Sequence, residues 1–389
     1  MRSRMYCHVS RAQVYAWTSA VLAEGKLFQD HGWRCTQTVL IGIVLRAAAR
    51  CISLSAACRD LPQGPSDQAV MTALEDGLPR KLATLEGWIN QTLLSRRPRW
   101  LLRRKWEVAI DLHLSPYYGQ PHKTKNELYY GKPRLGTKHF HAYATACITS
   151  RGERYTLALI WVRRHETMAV AVRRLLAKIR EIGLKIKCLL LDRAFFSVPV
   201  VELLQAENIP FLMPVMLRGR PPKNRRQATG LRWIKRQKAG WYSHTMKNRK
   251  RQVTLRICVG YRRHKHRKDG KQRKQKLLFA AWRVSGSPVE IRERYRKRFG
   301  IETSYRQMRQ ARIYTCTRQP LLRLLFVAVA LILRNVWVWI HHTQLATGPW
   351  HAPVFHLEQL RFEQMLDWIV HEVLLLFSSP SPRCAATPP

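Results

Sequence analysis

A chain of 389 residues carrying 69 Lys and Arg against 24 Asp and Glu, formal charge +45, has room for two or three domains; its 46% hydrophobic content suffices for a packed core. That charge works against compaction unless a polyanion offsets it, so the composition argues against a neutral self-contained scaffold and for nucleic acid as the partner. Nine cysteines without CxxC pairs, no signal-peptide core near the N-terminus and no lipidation motif argue against a disulfide framework, structural zinc and a membrane anchor; the expected location is cytoplasmic, with the nucleoid.

Residues 1–104 read as a helical N-terminal region for DNA binding, with Ala-rich helices over Arg11–Leu27 and Val39–Leu54. The run ISLSAACRDLPQGPSDQAVMTALEDGL places a short helix, a Pro/Gly turn and a second helix capped by Ser66 in succession. That pattern suits a DNA-reading helix-turn-helix or an ordinary helical hairpin, and spacing alone favours the hairpin. A basic hinge follows from Arg96 to Lys105.

From residue 105 to 215 the chain takes on α/β texture. EVAIDLHLS alternates as a strand that carries Asp111, and the Tyr117–Gly136 segment, rich in Gly, Pro, Lys and Tyr, reads as a loop or hairpin. Tyr117, Tyr118, Tyr129 and Tyr130 with Lys123 and Lys125 suit either stacking on DNA or packing on their own strands. Two strands, KHFHAYATACITS and ERYTLALIWV, precede a helix over Glu166–Ile182; KIKCLLLDRAFFS is a buried strand ending at Asp192, followed by a helix from Val198 to Glu207 and a strand at IPFLMPV. His139 and His141 find no further metal ligands nearby and read as core or surface histidines.

Residues 216–287 read as a basic, β-rich insertion with the strands VTLRICVGY and KQKLLFAAWRV; between them RRHKHRKDGKQRK supplies Arg262, Arg263, Lys265 and Arg267 as candidate phosphate contacts. Residues 288–345 then hold the run VEIRERYRKRFGIETSYRQMRQARIYTCT. On one continuous helix Tyr295, Arg298, Glu302 and Arg309 fall within roughly a 60° arc, with Arg306 close by. Leu321–Ile340 is strongly apolar, yet Arg323 and Arg334 bracket only ten residues, short of the roughly 20 a membrane span requires, so a buried helix is expected. An amphipathic helix over 357–377 and a disordered tail at 378–389 complete the reading.

Three carboxylates thus stand out in this basic background: Asp111 and Asp192 on strands, and Glu302 on a later helix. In-line displacement at a phosphodiester uses two divalent ions roughly 4 Å apart, held by hard oxygen ligands. The order Asp–Asp–Glu, with three antiparallel strands, a helix and a strand leading to the second Asp, is far more specific than any single acid.

The motifs AIDLHLSPYYG, LLLDRAFFS and YRKRFGIETSYRQMRQ resemble those of DDE transposases from bacterial or archaeal insertion sequences. The last is similar to a Tyr-Arg-Glu-Lys signature, matched by Tyr295, Arg298 and Glu302, with Arg309 where Lys is usual; Ala194 replaces the Gly of an Asp-Arg-Gly-Phe motif. The resemblance covers roughly residues 105–340. It implies an RNase H-like mixed sheet flanked by helices and interrupted by the β-rich insertion. It further implies Asp111, Asp192 and Glu302 as ligands of two Mg2+ or Mn2+ ions, and Tyr295, Arg298, Arg306 and Arg309 on the DNA end. The partners it implies are double-stranded DNA, as terminal inverted repeats and target, and a second copy of the chain in a synaptic dimer. The expected activity is strand cleavage and strand transfer. An RNase H-like nuclease or resolvase without strand transfer, and an inactive DNA-binding derivative, are the alternatives.

Overall fold

The computed structural model describes residues 9–61, 63–222, 227–249, 251–265, 272–348 and 353–378. Arg267 and the tail at 379–389 lie outside them, as do Cys7 and Cys384; the other seven cysteines are free thiols.

Among the described residues nine strands join in one mixed sheet. β1 (Trp106–Pro116) lies between β3 (Thr137–Ile148), antiparallel to it, and β5 (Ile186–Leu191), parallel to it. β6 (Phe211–Pro214) continues parallel beside β5. On the far side of β3 lie β2 (Tyr129–Arg134) and β4 (Thr156–Val162). The strands of the basic segment, β7 (Gly240–Asn248), β8 (Arg251–Lys265) and β9 (Gln272–Trp282), extend this same sheet, with β9 pairing antiparallel to β6. The arrangement is the mixed, helix-flanked sheet expected of the RNase H-like class.

β1 owes its role to which side chains share a face. Glu107, Asp111 and His113 share one face, while Val108 and Ile110 lie on the other and are fully buried. The polar face meets two helices, α9 (Pro288–Arg296) and α10 (Phe299–Gln310): Glu107 pairs with Lys297 at 2.9 Å and Arg294 at 3.5 Å, and Asp111 pairs with Arg298 at 3.1 Å.

This region forms two helices that part next to Gly300, where the cost of glycine in a helix interior leads one to expect a start or bend. Lys297 and Arg298 keep right-handed backbone angles, but the N–H groups of Lys297, Arg298, Gly300 and Ile301 bond to carbonyls three residues back, tightening the turn and shifting the register between Tyr295 and Glu302. Gly300 accounts for the position of the second helix. A Cβ there would lie 2.9 Å from the Thr149 carbonyl oxygen and 3.1 Å from Arg154 Nε, so only glycine lets α10 approach the end of β3 so closely.

The remaining helices cover the sheet and build the apolar body. α1 (Arg11–Glu24), α2 (Gln37–Ala49), α5 (Leu82–Leu94), α11 (Pro320–Ile340) and α12 (Phe362–Ser378) pack together, and α5, α6 (Met168–Glu181) and α11 lie against β4. α12 starts five residues later than the sequence suggested. α11 is long and apolar enough to cross a membrane, but 83% of its most apolar window is buried inside the protein. Its Arg334 is fully buried, donating to Gln307 and to the Arg154 carbonyl.

β4 leaves an open sheet edge, and side chains close it. Asn335 accepts from the Thr156 N–H at 2.9 Å and donates to the Thr156 and Leu93 carbonyls; Asn90 makes the same two-way bond to Leu159; Glu86 accepts from Trp161 N–H at 2.8 Å and is itself gripped by Arg174. Each is the local answer to an unpaired edge.

Candidate active site

The parallel register of β1 and β5 builds the site. Ile110 lies opposite Leu191, so the next residues, Asp111 midway along β1 and Asp192 just past the end of β5, stand side by side, about 4.8 Å apart in backbone spacing. Asp192 then turns the chain into a short 3-10 helix at Arg193–Phe195. The carboxyl end of a parallel strand, where the chain turns away as it does after β5, is where an open α/β sheet leaves a crevice.

α10 brings the third acid. Arg298 reaches both Asp111, with Nη2 3.1 Å from Oδ1, and Glu302, with Nη1 donating to Oε1 at 2.8 Å. The Arg298 side chain is 5% exposed and its Nε has no partner, while Glu302 keeps 49% of its side chain in solvent. Burial pushes the Asp111 carboxyl up to about 6; Arg298 and the Leu112 N–H pull it down, and the neighbouring acids Asp192 and Glu302 add to the rise. Burial also opposes the Arg298 charge, but Asp111, Tyr295, Asp192 and Glu302 outweigh it and the guanidinium is held more firmly charged than usual. The pocket is short of positive charge, and one guanidinium supplies what is there.

The donor set suits a hard divalent cation: carboxylate oxygens only, in an anionic cluster that is buried at Asp111 and open to solvent at Glu302, with a cationic group already bridging these two. In the described conformation that bridge is Arg298, and among the described residues no three His, Cys, Asp or Glu side chains are grouped closely enough to hold an ion by themselves. A cation shared by Asp111 and Glu302 would take the place of the Arg298 guanidinium.

Two tyrosines tie the helices to the acid-bearing strands. Tyr295, 8% exposed, donates to the Leu191 carbonyl at 3.3 Å and packs on Phe279 with ring centroids 5.1 Å apart. Its ring therefore supports the residue before Asp192, a packed position where an end-gripping role alone would leave the ring free. Tyr305 donates to the carbonyl of Asp111 itself at 3.2 Å and lies 2.7 Å from Thr145 Oγ1, the residue paired with Asp111 across β3. Sequence reasoning passed over Tyr305, although it falls one turn after Glu302, and Glu107, although acids are scarce and this one lies four residues before Asp111.

The sequence-selected cations divide between two cavities. Arg262 and Arg263 are exposed on β8 and line a cavity of about 820 Å3 together with Arg193, Arg292, Tyr295 and Phe299. Arg309 lines a second, of about 310 Å3, with His113. Arg306 is exposed on α10, the backbone of Lys265 pairs with Gln272, and Arg267 lies outside the described residues. The candidate DNA-reading helix α4 (Asp67–Gly77) turns Asp67, Glu75 and Asp76 to solvent and has no Lys or Arg, which makes it ill-suited to a DNA groove. His139 is exposed and His141 buried, so the two share no site.

Residues 103–335 match the family model of the transposase DDE domain, more than half of the chain. The chain belongs to the DDE transposase family. Divalent metals serve that family generally. Among solved structures, the piggyBac transposase synaptic complex with hairpin DNA matches this transposase with a TM-score of 0.55 at 12% identity, covering 98% of this chain and 86% of that one, which establishes likeness of fold. No curated protein matches the sequence.

Proposed function

We propose that this transposase is a cut-and-paste enzyme of a bacterial or archaeal insertion sequence, of the Tyr-Arg-Glu-Lys signature group. In this reading Asp111, Asp192 and Glu302 are its cleavage residues. The observation that carries the reading is the β1–β5 register, which sets Asp111 beside Asp192 beneath the helix that bears Glu302. The acids would hold two Mg2+ or Mn2+ ions, which when bound supply charge stabilisation at the attacking and leaving oxygens.

The chain's own residues do the rest. The Glu107 ion pairs and the two tyrosine hydroxyls fix α9 and α10 over the strand ends, so the acids are placed before substrate arrives. Arg298 balances the buried acids in the free protein. With a phosphate present it offers a planar fork that can turn to two oxygens at once. Arg262, Arg263, Lys265, Arg306 and Arg309, with Arg267 beyond the described residues, would neutralise the backbone of double-stranded DNA at the element's terminal repeats and target. A second copy of the chain would bring the other end in a synaptic dimer, in a cytoplasm.

The test is purified protein acting on a plasmid that carries the gene with its flanking DNA, in Mg2+. Excision of the element with free 3′-OH ends, and joining of those ends to a second plasmid, is the expected result. Nicking without any joining would overturn strand transfer and leave a nuclease or resolvase.

A further inference from the structure

The second cavity continues the acid site along β1. His113 follows Asp111 on the same strand face and lies 5.3 Å from the Tyr305 ring; Ser115, also lining the cavity, comes two residues further. Four residues at about 3.3 Å per residue place Ser115 some 13 Å from Asp111, about four steps of a nucleic-acid strand at 3.4 Å each.

Arg309, Arg312 and Arg323 project from the opposite wall, and among the described residues no carboxylate pairs with any of them. Arg323 is tied to the Thr317 and Thr315 carbonyls at 2.6 and 3.3 Å and lies over the Tyr117 ring at 4.9 Å, which orders the loop behind it. Arg309 and Arg312 are exposed. Three uncompensated guanidiniums in one cleft leave it short of negative charge.

At the lip of this cleft stands Leu135. It is 80% exposed at the tip of the β2–β3 hairpin, where Arg134 pairs with Thr137 across a two-residue turn. Both turn residues have left-handed backbones, Leu135 with φ 48° and Gly136 with φ 78°, the type I′ geometry for which Asn-Gly is preferred. Leucine is a poor choice for that position on steric grounds and a poor choice for solvent on hydrophobic grounds. Tyr118, 70% exposed, donates to the Leu135 carbonyl at 2.7 Å and braces the tip, and Lys132, Arg134 and Lys138 are exposed around it. A strained, solvent-facing apolar side chain ringed by cations has the form of a wedge that enters a base stack.

We propose that the cleft of Arg309, Arg312 and Arg323 with the Leu135 hairpin is a duplex-DNA deformation site: the arginines hold phosphates in the cleft that continues the acid site along β1, while Leu135 opens one base step. The proposal rests on the DNA-transposase reading and adds to it a place where the duplex is unstacked, at the flexible steps that cost least to open.

The probe is an alternating adenine–thymine duplex in which 2-aminopurine replaces a fraction of the adenines, so that a flexible step is present in every register. Binding is followed by anisotropy and unstacking by 2-aminopurine fluorescence at saturating protein. The wild type should raise the fluorescence, and Leu135→Ala and Leu135→Asn should lose that rise. Asn tolerates the left-handed backbone, so Leu135→Asn should melt no lower than the wild type, which separates loss of the wedge from loss of fold. Replacing Arg309 and Arg312 by Ala should flatten the dependence of log affinity on log salt by about 2. Fluorescence that rises equally in both Leu135 variants, or a salt slope untouched by the double arginine change, overturns the site while the transposase reading stands. Failure of the wild type to bind duplex at low salt removes both.

Discussion

The closed edge of β4 and the acid site beside β1 and β5 both set polar groups against the sheet, and they treat them in opposite ways. At β4 every strand group named above meets a partner: Asn335, Asn90 and Glu86 answer Thr156, Leu159 and Trp161 bond for bond. At the acid site the accounts stay open. Asp111 is driven up to about 6 and Arg298 Nε has no partner; in the cleft next along β1, Arg309 and Arg312 face no carboxylate among the described residues. Satisfied polar groups fasten a fold, whereas unsatisfied ones are held ready for something that arrives from outside. The fully paired edge should therefore govern stability, and the unpaired end should govern function.

The largest stability effect is expected at Asn335. Asn335→Ala strips partners from both backbone groups of Thr156, while the Leu93 carbonyl keeps the Tyr155 hydroxyl, and at 1–3 kcal/mol for each of the two orphaned groups should cost about 3 kcal/mol or more. Urea unfolding reads the loss, and cleavage per folded molecule should be unchanged. A loss under about 1 kcal/mol would mean that water replaces the amide and the edge is not closed.

His141 sharpens the contrast from the other side. It is 2% exposed, neither ring nitrogen has a partner, and burial, with Arg323 adding to it, pushes it down to about 3. Its folded pKa lies below the unfolded value, so it favours the native state fully above about pH 6.5, and that contribution is lost as pH falls towards the folded value. By pH 4 the wild type should have given up about 3 kcal/mol on this account. His141→Phe should lack that loss, so the stability difference between variant and wild type should widen steadily from pH 6.5 to 4. Parallel pH profiles would show that the ring finds water or a partner.

Smaller effects are expected at the tyrosines that fasten the helices to the strands. Tyr305→Phe removes a bond to the Asp111 carbonyl and one to Thr145, and should cost about 1–2 kcal/mol. Tyr295→Phe removes a single 3.3 Å bond to Leu191 and should cost about 0.5–1 kcal/mol. Both should slow cleavage by displacing an acid, with Tyr305→Phe the slower because its bond falls on Asp111 itself. Thermal melts beside single-turnover rates give the ranking; the reverse order would shift the weight of positioning to β5.

Much of this contrast was legible in the sequence, and for identifiable reasons. Strand alternation around EVAIDLHLS put Asp111 on a polar face, and the apolar run before Asp192 marked a buried strand. The α/β order between them, together with the signature residues, carried the resemblance to the family. What could not be read was anything set by tertiary approach. A uniform turn of 100° per residue carried Tyr295 and Glu302 onto one face, but the tightened turn at Lys297–Arg298 changes that register and Gly300 docks against Thr149. The β4 edge depends on Asn90 and Asn335, two amides far apart in sequence whose shared role exists only in the folded chain. Tyr305 and Glu107 lay inside the right motifs, but their bonds run to backbone and to a second helix, and periodicity does not report either. The 216–287 strands read correctly as β, yet that they extend the central sheet through β6 required the pairing itself.

The claim that the three acids act as one site is tested most directly by comparing single-turnover cleavage of element-end DNA across Asp111→Asn, Asp192→Asn, Glu302→Gln and the triple variant, each with its own melting curve. Residues that work as a unit are not additive. Each single change should slow cleavage by about a thousandfold or more, roughly 4 kcal/mol of barrier, and the triple variant should be no slower than the slowest single one. Full cleavage by Asp192→Asn, or losses that multiply from single to triple, would contradict a shared site where Asp111 of β1 stands beside the end of β5.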